Sequence, residues 1–181
     1  HIFLSYRRTH YQLADRVRRE LATYGYSVFF DLDPEFGLGA GNFQEQLETV
    51  LTHTPIFLPL LTPAPSGMDE IRRSLSSLQA LKEYHRLQRI DFTHVEIRKA
   101  LQTDGTETIP LFHHSFQPED LASELQGLPE DITKLAAKNA KRLGDVDLFD
   151  RSLQMVHELI QRAVVEGKLG RRRRETGTGM V

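Results

Sequence analysis

Three segments of this chain, "IFLSY" from Ile2, "SVFFDLD" from Ser27 and "PIFLPLLTP" from Pro55, each hold an uninterrupted apolar run. A strand with one face in water alternates apolar and polar residues, so continuous runs this short fit strands covered on both faces. Between the first two, Leu13, Val17 and Leu21 recur every four residues, while Asp15, Arg16, Arg18, Arg19 and Glu20 take the other positions. That is the period of an amphipathic helix. Buried strands alternating with helices imply parallel pairing through crossovers. The chain is therefore read as an open α/β sheet of four or five strands.

Local signals divide the rest. Thr9 and Gln12 have capping-box spacing ahead of the first helix, and Gly25 supplies its stop. "PEFGLGAGN" is rich in glycine and reads as a loop, with Asn42 positioned to cap a helix that buries Phe43, Leu47, Val50 and Leu51. Pro59 has no N–H to donate, which predicts an irregular or edge position for the third strand. Met68–Gln102 reads as mostly helical, with Asp91 as N-cap of a separate helix over "FTHVEIRKAL". "TIPLFHHSF" is a fourth strand. "KLAAKNAKRLGDVDL" is helix by composition and strand by topology, and "LFDRSLQMVHELIQRAV" is a final helix with Leu153, Val156 and Ile160 in register. The glycines and the Arg171–Arg174 run that follow read as a mobile basic tail over 167–181.

Composition removes several function classes. The 181 residues include no cysteine, which excludes disulfides, thiolate zinc sites and cysteine nucleophiles and is compatible with a reducing compartment. A net charge of -2 provides no global field for wholesale nucleic-acid binding. No run approaches the roughly 20 apolar residues of a membrane span. The start lacks a signal-peptide pattern, and His1 leads straight into a strand, so the sequence reads as a domain of a longer protein.

Ligands of open parallel sheets bind beyond the carboxyl ends of the strands. That rule puts Ser5–Arg8, Asp31–Gly41 and the loop after Leu61 on one rim. There Arg7 and Arg8 are either a solvated pair or an anion site, since guanidinium groups bind phosphate through two parallel hydrogen bonds. Gly37, Gly39 and Gly41 alternate too closely for a dinucleotide fingerprint and fit a flexible loop better. Phe92 and Glu96 lie one helical turn apart, so a ring and a carboxylate share a face. His113 and His114, adjacent on a predicted strand, should point to opposite faces, which is poor geometry for shared metal binding; no metal site is expected.

Taken in order, "IFLSYRR", "YGYSVFFDLD", "FGLGAGNFQEQL" and "PIFLPLLTP" resemble the successive motifs of a TIR (Toll/interleukin-1 receptor) domain. The match runs from Ile2 to about Phe116 and returns more weakly at "LFDRSLQMVHELI". The resemblance implies a flavodoxin-like parallel sheet of about five strands with helices on both faces, over residues 1–166. Segment 64–90 is expanded beyond a minimal member. "DFTHVEIRKAL" is similar to the NAD-cleaving branch, where a helical glutamate follows an aromatic residue by four positions, usually Trp; here Phe92 stands there.

The resemblance implies that Glu96 is catalytic and that Ser5, Tyr6, Arg7, Arg8, Phe30, Asp31, Phe43 and Phe92 bind substrate. It also implies an interface loop at Phe36, Gly37, Leu38, Gly39 and Gly41. The implied activity is an NAD+ glycohydrolase, with cyclisation as a second outcome. NAD+ would be substrate with no separate cofactor, and the setting a cytoplasmic immune-defence or cell-death pathway. Partners would be a second copy of the chain or other TIR domains. The alternative is a non-catalytic TIR–TIR interaction or adaptor module.

Overall fold

A computed structural model describes residues 1–30, 45, 47, 49–51, 53–63, 75–88, 91–116 and 123–176; the side chains of Arg8, Phe30 and 167–176 lie outside the description. Its strands are β1 (Ile2–Ser5), β2 (Val28–Phe30), β3 (Ile56–Leu61), β4 (Glu107–Thr108), β5 (Leu111–Phe112) and β6 (Lys141–Arg142). The helices are α1 (Tyr11–Thr23), α2 (Ser77–Arg86), α3 (Phe92–Gln102) and α4 (Phe149–Thr176), with 3-10 segments at Arg8–His10 and Glu130–Ala137. All pairings are parallel, in the order β2-β1-β3-β5-β6, with β4 also against β3. The chain leaves β1 towards one edge and returns to its other side at β3. The crevice beyond the carboxyl ends of those two strands is the topological switch point, where such sheets take ligands.

Successive residues of a strand face opposite sides, and the sheet uses both. Ile2, Leu4, Ile56, Leu58 and Leu60 pack with Ala14, Val17 and Leu21 of α1 and Leu153, Val156 and Ile160 of α4. Phe3, Phe57 and Leu61 pack on the other side with Leu47, Leu51, Leu78, Leu81, Ile97, Ala100, Ile132 and Leu135. The uninterrupted apolar runs thus follow from two helical layers. Even-numbered residues of β1 face α1 and α4, and odd-numbered residues face α3.

Pro59 belongs to a regular central strand, contrary to the expectation of an edge or irregular position. It stands in register with Ser5 of β1. On the other side one register, Phe57 with Thr108 and Leu61 with Phe112, runs through β4 and β5, so Pro59 faces Pro110. Phe57 accepts from Ile109 N at 2.9 Å and Leu61 from His113 N at 3.0 Å. The missing Pro59 N–H therefore falls between these two bonds, where the fourth strand is split into β4 and β5. The proline interrupts its neighbour rather than its own strand.

Helix ends follow their chemistry with one correction. Gly25, at φ +84°, ends α1 in a Schellman arrangement, with Gly25 N on Ala22 O and Tyr26 N on Leu21 O. The start of α1 lacks the expected capping box: its N-cap is His10, with no side-chain cap, because a 3-10 turn over Arg8–His10 carries the chain in from β1. The ambiguous "KLAAKNAKRLGDVDL" divides into the end of a 3-10 segment and β6. Backbone of α4 stays helical through Arg171–Arg174, where composition suggests a tail. Among the described residues no helix is long and apolar enough to cross a membrane.

Candidate active site

At the carboxyl end of β1 the odd face continues past the apolar residues. After Phe3, the residues with that alternation are Ser5 and Arg7, and both meet α3. Helix α3 buries Thr93, Glu96, Ile97 and Ala100, spaced as one stripe. A carboxylate therefore occupies a position that packing would fill with an aliphatic side chain. Glu96 is 1% exposed and Ser5 0%, and Ser5 Oγ donates to Glu96 Oε2 at 2.5 Å. Taking a carboxylate out of water is costly unless hydrogen bonds replace hydration, and Ser5 supplies one such bond. A buried carboxyl group at a ligand rim is the pattern expected of a functional residue.

The start of α3 is fixed twice by one residue. Asp91 is the expected N-cap: its Oδ1 accepts from Thr93 N at 3.1 Å, and its backbone carbonyl accepts from Val95 N at 3.0 Å. Its other oxygen, Oδ2, accepts from Arg7 Nη2 at 2.5 Å. The Arg7 guanidinium also lies over the Tyr84 ring of α2, 5.9 Å from its centroid. Helix α2 is itself tied to the rim through Ser77, whose Oγ accepts from Thr62 N at 3.0 Å and whose N–H reaches Thr62 O at 2.8 Å. On the outer side of α3, His94 Nε2 bonds Asp131 Oδ1 at 2.9 Å.

Phe92 opens α3 and is 37% exposed, while Glu96, one turn on, is buried. The two lie one turn apart on α3, but the ring is more than a third exposed and the acid is buried against Ser5 of the sheet.

A second group lines the same rim. His10 bonds the backbone of Pro63, and burial chiefly holds its imidazole below the ordinary range, with Arg7 adding to the depression. His113 is pushed down to about 4 by burial, then by His114 and His10. Its Nδ1 lies 2.8 Å from Ser115 Oγ. His113 follows β5 rather than lying in it, so strict strand alternation does not apply. The His113 and His114 rings accordingly sit 4.0 Å apart, not on opposite faces. Among the described residues, no group of three or more His, Cys, Asp or Glu could hold a metal ion.

Of the residues expected at the site, Ser5 and Glu96 are hydrogen-bonded and Arg7 reaches the start of the same helix through Asp91, while Phe92 is the first residue of that helix. Tyr6, on the even face, packs against the α1 and α4 core and lies 6.3 Å from the Tyr11 ring. Phe30 ends β2 and Arg8 begins the 3-10 turn, both as backbone only. Asp31, Phe36, Gly37, Leu38, Gly39, Gly41 and Phe43 lie outside the described residues. Sequence reasoning missed the second role of Asp91 and the place of Tyr84. The first was within reach, because β1 alternation puts Arg7 on the face of Ser5.

Comparison with protein families gives a match to the model described as TIR domain, over residues 2–149. No curated protein matches the chain.

Proposed function

The chain belongs to the TIR domain family, a family of signalling and defence domains that commonly self-associate, and on that premise we propose that it cleaves the nicotinamide–ribose bond of NAD+. The observation carrying this reading is the Glu96 carboxylate, 1% exposed, placed on the apolar stripe of α3 beside the carboxyl end of β1.

The chemistry suits a single acid. When the C1′–N bond of NAD+ breaks, its electron pair neutralises the pyridinium, and nicotinamide departs without a proton. The ribose is left with positive charge shared between C1′ and its ring oxygen. A carboxylate held near that ribose stabilises the developing cation or orders the ribose hydroxyls. Water adding at C1′ with loss of one proton gives ADP-ribose; attack by an adenine nitrogen gives a cyclic product.

In this scheme Phe92 packs on a ring of the substrate. With Arg7 Nη2 on Asp91, the pyrophosphate falls to Arg8. Phe30, Asp31 and Phe43 complete the substrate site and the loop at 36–41 the contact with a second copy. NAD+ is substrate rather than cofactor, and the setting is a cytoplasmic defence or cell-death response. Concentrated protein incubated with NAD+ is expected to release free nicotinamide. Glu96→Gln is expected to lower that release by at least about a hundredfold, since it removes the charge that opposes the cation. Equal release by the two proteins sinks the assignment. The replacement of the usual Trp by Phe92 favours a second reading, a non-catalytic TIR–TIR module, which predicts no nicotinamide at any protein concentration.

A further inference from the structure

We infer that Arg7 is a positioning residue for Glu96, acting through Asp91, and not a contact for the substrate pyrophosphate; in its catalytic consequence this rests on the reading of Glu96 above. A guanidinium can offer an anion two parallel hydrogen bonds along either of two edges, Nε with Nη2 or Nη1 with Nη2. Nη2 carries two N–H donors, one on each edge, and one of them is committed to Asp91 Oδ2. Nε is buried without a hydrogen-bond partner among the described residues, so the first edge is closed to solvent as well. What is left for an anion is at most the Nη1–Nη2 edge of a guanidinium whose charge Asp91 already pairs. The pair is sheltered too: the Asp91 side chain is 4% exposed and that of Arg7 22%.

Releasing Asp91 would disturb the part of the molecule that catalysis needs fixed. Asp91 caps the first turn of α3, and Glu96 projects from the next turn. Arg7 follows Ser5 by two residues, so one extended stretch of backbone reaches α3 at both points: Ser5 on the carboxylate and Arg7 on the cap. Two attachments fix the rotation and height of α3 against β1, and with them the distance from carboxylate to ribose. A displacement near 1 Å is enough to cost a large factor in rate. Tyr84 backs the guanidinium from α2, which gives the expanded segment of the chain a share in the same support.

The experiment uses Arg7→Gln, Arg7→Lys, Asp91→Ser and the Arg7→Gln/Asp91→Ser double variant. Serine keeps an N-cap acceptor for α3 but is too short and uncharged to hold Arg7, so it separates the ion pair from the cap. Nicotinamide release from NAD+ is expected to show kcat lowered about tenfold or more in Arg7→Gln and Asp91→Ser, with KM within about threefold of the parent. The double variant should be no worse than the poorer single one, because both remove the same interaction. Arg7→Lys keeps the charge and should recover part of kcat.

A raised KM at parental kcat for Arg7→Gln, with Asp91→Ser unaffected, would make Arg7 a substrate contact and overturn the inference. Multiplying effects in the double variant would do so as well. Amide hydrogen exchange of the same proteins reads the clamp without any activity. Both single variants should speed exchange at Val95–Ile97 and leave the amides of β1 and β3 at parental rates. If the parent releases no nicotinamide, faster exchange at those amides still upholds the clamp while the enzymatic reading fails. Unchanged exchange there rejects the clamp.

Discussion

At the scale of single residues, Glu96 is where local chemistry and packing disagree, and the disagreement can be measured. A carboxylate 1% exposed among Thr93, Ile97 and Ala100 costs desolvation energy that a neutral side chain of the same shape avoids. Glu96→Gln keeps an acceptor for Ser5, so it is expected to stabilise the fold by up to about 1–3 kcal/mol, read as a higher urea midpoint, while lowering nicotinamide release at least about a hundredfold. Ser5→Ala removes a donor to a charged group and should cost about 1.5–3 kcal/mol and lower the rate as well. Loss of stability in both variants would mark Glu96 as structural. The sequence showed a glutamate one turn after a ring and nothing of its burial. Its partner Ser5 comes 91 positions earlier, and only parallel pairing of β1 with β3 brings the two together.

At the scale of elements, what could be read locally was read well. The apolar runs became β1, β2 and β3, Asp91 caps α3, and Gly25 ends α1, because each depends on neighbours within a few residues. What depends on register could not be seen. Pro59 marks a break in the neighbouring strand because it stands opposite Pro110, a pairing set by the whole of β3. The 3-10 entry to α1 likewise reflects the route from β1, not the Thr9–Gln12 spacing. Helix α2 lies in a segment that composition left without a role, and its geometry gives it one. Ser76 forms a capping box with Gln79 and also donates to Glu124 Oε2 at 3.1 Å. Ser76→Ala should therefore destabilise the protein by about 1–2 kcal/mol, read by chemical denaturation. Because α2 carries Tyr84 beneath Arg7, kcat should fall in the same variant. A stability within about 0.3 kcal/mol of the parent would show that the cap contributes nothing to α2.

Across the whole molecule, three of the eight histidines stand on the rim where strands end. His10 leaves β1, Pro63 follows β3, and His113 and His114 follow β5, so one rim carries imidazoles from distant parts of the sequence. Burial lowers both His10 and His113, the latter to about 4, and His114 and Arg7 add positive charge nearby. Folding therefore holds His113 neutral at pH values where the unfolded chain, near 6.5, takes up a proton. In that window the unfolded state binds more protons, so stability rises with pH from about 4 to 6.5 and is lost on acidification. The full displacement corresponds to about 3 kcal/mol, and a ring still partly in water should deliver about 1 kcal/mol of it. Asp15 and Glu83, held low chiefly by hydrogen bonds from Arg18 and Arg86, lose their contribution only below their ordinary carboxylate range. The slope between pH 4.5 and 6.5 is thus expected from the histidines. Urea midpoints measured across that interval should climb for the parent and climb less for His113→Gln, which cannot titrate. Parallel curves for the two proteins would show that His113 exchanges its proton as freely folded as unfolded. A flattened curve for the variant would tie the acid sensitivity of the fold to His113, on the rim that also holds Ser5 and Arg7.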